Sequence, residues 1–402
     1  MKLNVAVLFG GESVEHEVSI ISAHQAMEAL DKEKYNVIPV YISKDRRLYS
    51  SDALFDMQNF KDLNALINKI PQVYFVSVDN KVMIKPVKQG LFNHREIAAI
   101  DVAIPVMHGT NGEDGTIQGF LEMYKLPYAG CDLIAAAVGQ DKVLQKHVLE
   151  NSSLPVTEWF WIYAQELDAK KDEILNLVRR IGYPVIIKPA CTGSSVGISI
   201  AHDEAEYLTA FEEASAYDSK IITEKVVRPM REINCSVLGH PYDAVTSVLE
   251  EVFHGTDNEL LDFHDKYESS AKGAKSPAKS SAGMASTSRK VNPDLPEGVA
   301  DEIRRLALET FRVLGSSGVC RIDFLLNADS NQVYVNEINT IPGSLAYYLW
   351  QDAGVSFPQL MDRLVDLALD RERRRQNMIY SYDTDLLKTY KEPSGAKGGV
   401  KF

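Results

Sequence analysis

Cysteine is scarce: the 402 residues hold four, Cys131, Cys191, Cys235 and Cys320, and no two of them form a C-x-x-C pair. A disulfide framework or a thiolate metal site is therefore not expected, and the four read as reduced thiols packed as small hydrophobes. Long apolar runs are lacking too. Nothing approaches the roughly 18 uninterrupted apolar residues of a membrane span. The opening MKLNVAVLFGGE has only five apolar residues, Val5 to Phe9, before Gly10-Gly11. That is too short for a secretory core, so it reads as a first buried strand, and a cytoplasmic protein without membrane contact is expected. Basic charge is not in excess either: 43 Lys and Arg stand against 56 Asp and Glu, a formal net charge of −13. This argues against a nucleic-acid-binding surface but leaves room for a local basic pocket.

What is present is an ordinary globular composition, 45% hydrophobic, long enough for two to four domains at roughly 100–200 residues each. Val5–Phe9, a glycine turn, a helix over about 14–30 and a strand at Val37–Ile42 make a βαβ unit. The apolar run at 98–107 adds a third strand to the same parallel sheet. Residues 1–130 thus read as an open α/β domain. Helices over 136–150 and 165–181, with strands at Pro184–Lys188, Val196–Ile200 and Lys220–Val227, give a smaller α+β unit over 131–224. A third unit, 225–372, has strands near Glu232–Leu238, Val319–Leu326 and Gln332–Asn336 and helices at 297–314 and 357–371. Within it, Glu268 to Ser288 contains seven Ser, five Ala, three Lys and two Gly in 21 residues. Such a stretch cannot bury an apolar face, so a mobile loop is expected around 262–290, and a partly disordered tail over 373–402.

Three constellations could carry chemistry. Gly10-Gly11-Glu12-Ser13-Val14-Glu15-His16-Glu17 turns from strand to helix at the carboxyl end of a strand, where open α/β sheets bind ligands. It is not G-x-G-x-x-G. Glu15 and Glu17 either complement a helix N-terminus or offer a carboxylate to a substrate ammonium. In the second, a buried strand ends at Lys188-Pro189 and opens into Thr192-Gly193-Ser194-Ser195-Val196-Gly197. This is either a phosphate-cradling loop with a lysine charge or a plain turn beside a snorkelling lysine. It is not a Walker A loop, because the lysine precedes the glycines. The third is Arg321-Ile322-Asp323 and Glu337-Ile338-Asn339 on two strands joined by a turn near Asn327–Asn331. Period-2 alternation puts Arg321 with Asp323, and Glu337 with Asn339. If those faces coincide, Asp323, Glu337 and Asn339 could ligate Mg²⁺ shared with nucleotide phosphates; otherwise they are a salt-bridged strand pair.

The order of these pieces, together with Met107-His108-Gly109, Gly112-Glu113-Asp114-Gly115-Thr116-Ile117-Gln118-Gly119, Asp141-Lys142 and Asn336-Glu337-Ile338-Asn339-Thr340-Ile341-Pro342-Gly343, resembles the D-alanine:D-alanine ligase family of the ATP-grasp superfamily, over about residues 3–370. The resemblance implies an ATP-grasp fold, α+β in its nucleotide-binding part, behind an N-terminal α/β domain with an open parallel sheet. It also implies a C–N ligase that joins two D-alanines by way of an acyl phosphate, for peptidoglycan synthesis.

On that resemblance, Lys142 and Lys188 meet the ATP phosphates and the loop Gly193, Ser194, Ser195 closes over them. Glu224, Lys225 and Val227 face the adenine, and Glu232 takes the ribose. Asp323, Glu337 and Asn339 hold two Mg²⁺ ions, with Mn²⁺ an acceptable substitute. Glu15 receives the first D-alanine's ammonium. His108 lies near the same substrate or is simply a satisfied buried histidine. Arg321 and the Gly343 N–H stabilise the oxyanion. Lys266 reaches the γ-phosphate from a lid, and Tyr267 links to Ser194 and Glu15. A homodimer is implied as well.

The chain departs from the family at Ser344-Leu345-Ala346-Tyr347-Tyr348-Leu349-Trp350. There the family has a run with a serine that grips the second substrate's carboxylate; Tyr348 falls at that place, and Ser344 is the nearest substitute. A ligase with another acceptor, such as D-serine or an L-amino acid, is therefore the rival reading, and a non-catalytic ATP-binding relative a further one.

Overall fold

The computed structural model describes residues 2–79, 81–88, 98–193, 195–253, 289–384 and 386–390. The chain opens with β1 (Leu3–Gly10), α1 (His16–Ala29), β2 (Tyr35–Ile42), β3 (Leu48–Tyr49), α2 (Leu63–Ile67), β4 (Gln72–Val78), β5 (Lys81–Pro86), β6 (Ala98–Ile100), β7 (Val102–Pro105) and α3 (Thr116–Met123). These strands form one sheet in the order β6-β5-β4-β3-β2-β1-β7. Only β2, β1 and β7 run parallel, because α1 supplies the crossover that a parallel pair needs. The other strands are antiparallel, and β4 and β5 are joined by just two residues, Asp79 and Asn80. The run 98–107, expected as one strand, is therefore two, and only its second half extends the parallel part.

The next elements are α4 (Leu133–Gln140), α5 (Lys142–Asn151), β8 (Trp159–Tyr163), α6 (Leu167–Ile181), β9 (Val185–Pro189), β10 (Ser199–Ala201), α7 (Glu204–Ser215) and β11 (Lys220–Lys225). The single helix expected over 136–150 is broken at Asp141, whose backbone is extended and whose carboxylate accepts N–H bonds from Val143 and Leu144 as an N-cap. That break aims Lys142 into the cleft. The four strands lie in the order β10-β9-β11-β8, with α6 and α7 covering one face through Ile174, Val178, Tyr207 and Phe211.

A third sheet, in the order β14-β13-β12-β15-β16, is built from β12 (Met230–Gly239), β13 (Val245–Val252), β14 (Arg289–Val291), β15 (Gly318–Asn327) and β16 (Val333–Asn339), with α8 (Val299–Val313), α9 (Tyr347–Asp352) and α10 (Phe357–Arg375). Val299, Ile303, Leu306, Ala307, Thr310 and Phe311 make the buried stripe of α8, spaced as one helical face must be. Burying a side chain such as Phe311 or Leu306 contributes roughly 1.5–3 kcal/mol. Helix α10 returns to the first sheet. Its Leu360, Leu364 and Val365 share a core with Val5, Val7 and Met27, and Asp362 accepts from Tyr35 Oη at 2.8 Å and pairs with Lys34.

Among the described residues no helix is long and apolar enough to cross a membrane. Cys131, Cys235 and Cys320 are buried free thiols as expected, whereas Cys191 is exposed. Cys131 and Cys320, remote in sequence, have sulfurs 3.3 Å apart. Of the 373–402 tail, the first three residues complete α10 and 391–402 lie outside the described residues. So do 254–288, and with them the serine-rich run and most of the expected 262–290 loop.

Candidate functional site

Two adjoining cavities lie where the three sheets meet. The larger, about 310 Å³, is lined among others by Lys142, Lys188, Ser195, Glu224, Val227 and Glu232. The smaller, about 90 Å³, is lined among others by Glu15, His108, Arg289, Arg321, Asn339 and Gly343. Lys142, Thr192, Gly193, Glu232 and Glu337 border both.

The floor of the larger cavity is a buried ionic cluster. Glu224, on β11, is 2.9 Å from Lys146 and 3.0 Å from Lys188, and accepts from Thr157 Oγ1 at 2.8 Å. Burial by itself would raise its pKa. The two lysine charges and the hydrogen bonds from Lys146 and Thr157 outweigh that and hold the carboxyl well below the usual range. Burial drives the Lys146 pKa down, with Lys188 adding to the effect and Glu224 opposing it. Lys146 and Thr157 were not foreseen. Lys146 sits one turn after Lys142, and that spacing was the available signal.

Lys188 also donates to Asn336 Oδ1 at 3.3 Å. Lys142 donates to the Thr192 carbonyl at 2.7 Å and lies 3.7 Å from Glu337. Its backbone N–H bonds the Ala190 carbonyl, tying the start of α5 to the end of β9. Lys225 and Val227 line the same wall.

Strands β15 and β16 bring the third constellation together. Arg321 is opposite Asn339 and Asp323 opposite Glu337, and the register shifts immediately after. Arg321 forks onto Asp323 with two bonds of 2.7 Å, and Asn339 Nδ2 donates to Asp323 Oδ2 at 3.0 Å. Asp323 is pushed up to about 6 by burial, with Glu337 and Glu232 adding to the shift and Arg321 opposing it. Among the described residues, no three His, Cys, Asp or Glu side chains cluster so as to hold a metal by themselves. Two carboxylates and an amide, all hard oxygen donors at the edge of a phosphate-sized cleft, fit Mg²⁺, which typically takes one or two protein carboxylates and completes its shell with phosphate oxygens and water.

In the smaller cavity the Glu15 carboxylate packs between two glycine loops. A Cβ on Gly109, whose φ is +68°, would lie 2.7 Å from Glu15 Oε2, and one on Gly193 would lie 3.0 Å from it. At Gly109 the left-handed backbone is what favours glycine, whereas at Gly193 a side chain would only crowd the Glu15 carboxylate. His108 donates from Nδ1 to the Ile341 carbonyl at 2.8 Å, which leaves Nε2 to accept from Ser22 Oγ at 3.0 Å. Burial, reinforced by Arg321, lowers its pKa against Glu15 and the Ile341 bond, so the ring is neutral and both nitrogens serve the fold.

Ser22 Oγ in turn accepts the Ser344 N–H at 3.0 Å. Ser344, Leu345 and Ala346 have φ of +51°, +54° and +50°, a left-handed turn costing of order 1–3 kcal/mol per residue. The Ser22 bond and the burial of Leu345 and Ala346 hold it, and Gly343 faces the cavity. Ser344 and Tyr348, the candidates for the second substrate, are not on the cavity wall. Tyr348 donates instead to Glu250 at 3.0 Å. Glu113, Asn234, Glu250 and Arg289 do line it and were assigned no role from sequence. Ser194, Lys266 and Tyr267 lie outside the described residues.

An α/β domain set against two antiparallel α+β units that flank a lysine- and carboxylate-lined cleft defines an ATP-grasp enzyme. The chain belongs to the D-alanine:D-alanine ligase family: the profile described as D-ala D-ala ligase N-terminus matches residues 4–131 and that described as D-ala D-ala ligase C-terminus matches 148–366. It is 37% identical over 386 residues to the D-alanine--D-alanine ligase of Thermosipho melanesiensis, covering 96% of this chain and 98% of that protein. The D-alanine-D-alanine ligase structure from Coxiella burnetii is similar with a TM-score of 0.76 at 30% identity, covering 93% of this chain and 96% of that one. VanG D-Ala:D-Ser ligase from Enterococcus faecalis is similar with a TM-score of 0.71 at 26% identity, covering 92% and 100%.

Proposed function

We propose that this chain is an ATP-dependent ligase that joins two D-alanines into D-alanyl-D-alanine for peptidoglycan precursor synthesis. The observation that carries this reading is the shared wall of the two cavities, where Lys142, Glu232 and Glu337 stand between a larger cavity lined by Lys188 and Asp323 and a small pocket holding Glu15, Arg321 and Gly343. ATP lies in the larger cavity, its phosphates on Lys142, Lys188 and the Gly193–Ser195 loop, its adenine beside Glu224, Lys225 and Val227, its ribose on Glu232.

Glu15 pairs with the ammonium of the first D-alanine, so that its carboxylate attacks the γ-phosphorus and ADP leaves, giving an acyl phosphate. The neutral amine of the second D-alanine attacks the carbonyl carbon, phosphate departs, and the nitrogen gives up a proton. Arg321 and the Gly343 N–H face the oxyanion of that step. His108, with both nitrogens engaged, shapes the pocket rather than moving a proton. Asp323, Glu337 and Asn339 would hold Mg²⁺, which when bound supplies charge neutralisation at the β- and γ-phosphates. The lid role expected of Ser194, Lys266 and Tyr267 falls on residues outside the described ones.

The same reading assigns substrate binding to 1–130 and nucleotide binding to 131–224 and 225–372. It includes two Mg²⁺ ions replaceable by Mn²⁺, a homodimer and a cytoplasmic location. The second reading, a D-serine acceptor, draws on the unusual 344–350 run. Phosphate release from ATP and Mg²⁺ with D-alanine alone, then with D-alanine plus each other amino acid, with mass spectrometry of the products, tests both. D-alanyl-D-alanine as the dominant product upholds the first; turnover only with a second amino acid overturns it in favour of a mixed ligase.

A further inference from the structure

An acceptor amino acid must attack through its free amine, so its carboxylate is what the site can hold. In a small cavity lined by buried side chains that carboxylate is best held by a cation. Among the described residues the cavity holding Glu15 and Arg321 presents three permanent cations: Lys142, Arg289 and Arg321. Lys142 is turned toward the Thr192 carbonyl and Glu337, on the phosphate side. Arg321 is forked onto Asp323 through two nitrogens. Arg289, on β14, stands on the wall formed by the third sheet, beside Asn234, Glu250 and Val252.

Resting on the ligase reading above, we propose that Arg289 receives the carboxylate of the second amino acid and that Glu250 and Tyr348 are its positioning residues. Glu250 Oε2 accepts from Arg289 Nη1 at 3.2 Å, and the two side chains are 1% and 10% exposed respectively. The guanidinium carbon lies 4.7 Å from the centroid of the Tyr348 ring, a cation–π contact that helps hold the arginine in place. The Tyr348 hydroxyl and the Asn234 amide both donate to Glu250 Oε1, at 3.0 and 3.3 Å, locking the carboxylate that aims the arginine. A guanidinium has five N–H donors in a rigid fork, so it can share its charge between Glu250 and an incoming carboxylate. Tyr348 thus acts from beneath Arg289 and does not itself touch substrate.

The test is initial-rate dipeptide synthesis by the full chain, separating the KM values for the two amino acids, with D-alaninamide as an alternative acceptor that lacks the carboxylate. Arg289→Ala is expected to raise the KM for the second D-alanine on the order of 100-fold, with the first KM and the KM for ATP within about twofold. Its preference for D-alanine over D-alaninamide should collapse. Arg289→Lys, which keeps the charge and loses the fork, should fall between, and it carries the test if the alanine variant does not fold. Tyr348→Leu should raise the second KM with little change in kcat, and Tyr348→Phe, which keeps the ring, should restore most of it. An unchanged second KM, or an unchanged acceptor preference, in folded Arg289 variants overturns the assignment while leaving the ligase reading intact. A wild-type chain that makes no dipeptide from D-alanine overturns the ligase reading, and the assignment falls with it.

Discussion

Asp323 is paired directly with Glu337 across the β15–β16 ladder, and the register shifts at the very next residue, Phe324. Phe324 lies opposite Val335, so Asn336 has no partner of its own. In a regular strand Asn336 and Glu337 would point to opposite faces. The bulge lets both reach the larger cavity, where Asn336 meets Lys188 and Glu337 meets Lys142. The irregularity is what gathers the carboxylate pair and the two lysines on one cleft.

Glu337→Gln is the cleanest probe of the metal role, because Glu337 is part-exposed at 30% and its pairing with Lys142 is long, at 3.7 Å. The substitution should raise the Mg²⁺ concentration for half-maximal dipeptide synthesis by about tenfold or more with little loss of stability. Paramagnetic-resonance titration of Mn²⁺ in the presence of nucleotide should show the same weakening. Unaltered metal dependence in both measurements removes Glu337 from the ligand set.

Arg321→Ala should lower kcat by about 10²–10³-fold, the usual cost of losing one oxyanion donor. It should also lower stability by about 3 kcal/mol, toward the small end of what breaking a buried pair costs. The loss is limited because Asp323, already pushed up to about 6, takes a proton once the arginine is gone. Single-turnover rates and urea denaturation, measured on the same preparation, separate the two effects. Normal turnover in a folded variant excludes the oxyanion role.

Much of this site is legible in the sequence wherever chemistry and period coincide. Strands β9, β11, β12, β15 and β16 announce themselves as apolar runs, and Arg321, Asp323, Glu337 and Asn339 follow from alternation alone. Their coincidence on one face needed the ladder register, which no single strand encodes. The break at Asp141 is legible at Asp141-Lys142 itself, where a carboxylate that can cap the following N–H groups precedes the lysine that starts the second helix. Arg289 and Glu250, by contrast, were invisible. They meet across strands 39 positions apart, and each alone is a common charged residue in a strand. The left-handed turn at Ser344–Ala346 is carried by residues that do not favour it, so it is specified by the Ser22 bond, the Leu345 N–H to Pro342 carbonyl bond and the packing of Leu345 and Ala346. Counting along the chain could not tell that Tyr348 meets Glu250 and Arg289, which line the cavity.

Lys146→Met should destabilise the chain by about 3 kcal/mol, since it strips one of two cations from a carboxylate that is 2% exposed. Lys188 keeps the loss from being larger. Combining it with Glu224→Gln should recover part of the loss, because the uncompensated charge is then removed as well. Urea denaturation of the two singles and the double forms a double-mutant cycle. Additive losses in that cycle count against the coupling.

Glu113 supplies the pH test. It bridges the Gly109 and Ile341 N–H groups at 2.9 Å each. It is pushed up to about 8 from 4.5, first by burial and then by the charge of Glu15, against those two hydrogen bonds. A carboxyl whose folded pKa lies above its unfolded one holds a proton in the native state that the unfolded chain has released. Stability from this group is therefore complete below about pH 4.5 and is lost as pH rises toward 8. Glu113→Gln cannot titrate. Its baseline should be lower, because one of the two N–H groups loses its acceptor, but its stability should not show this decline. The wild-type advantage should thus shrink steadily as urea denaturation is repeated from pH 5 to pH 8 at constant ionic strength. Parallel curves for the two chains would mean that Glu113 is already ionised in the folded state, with its two N–H partners, and not burial, deciding its charge.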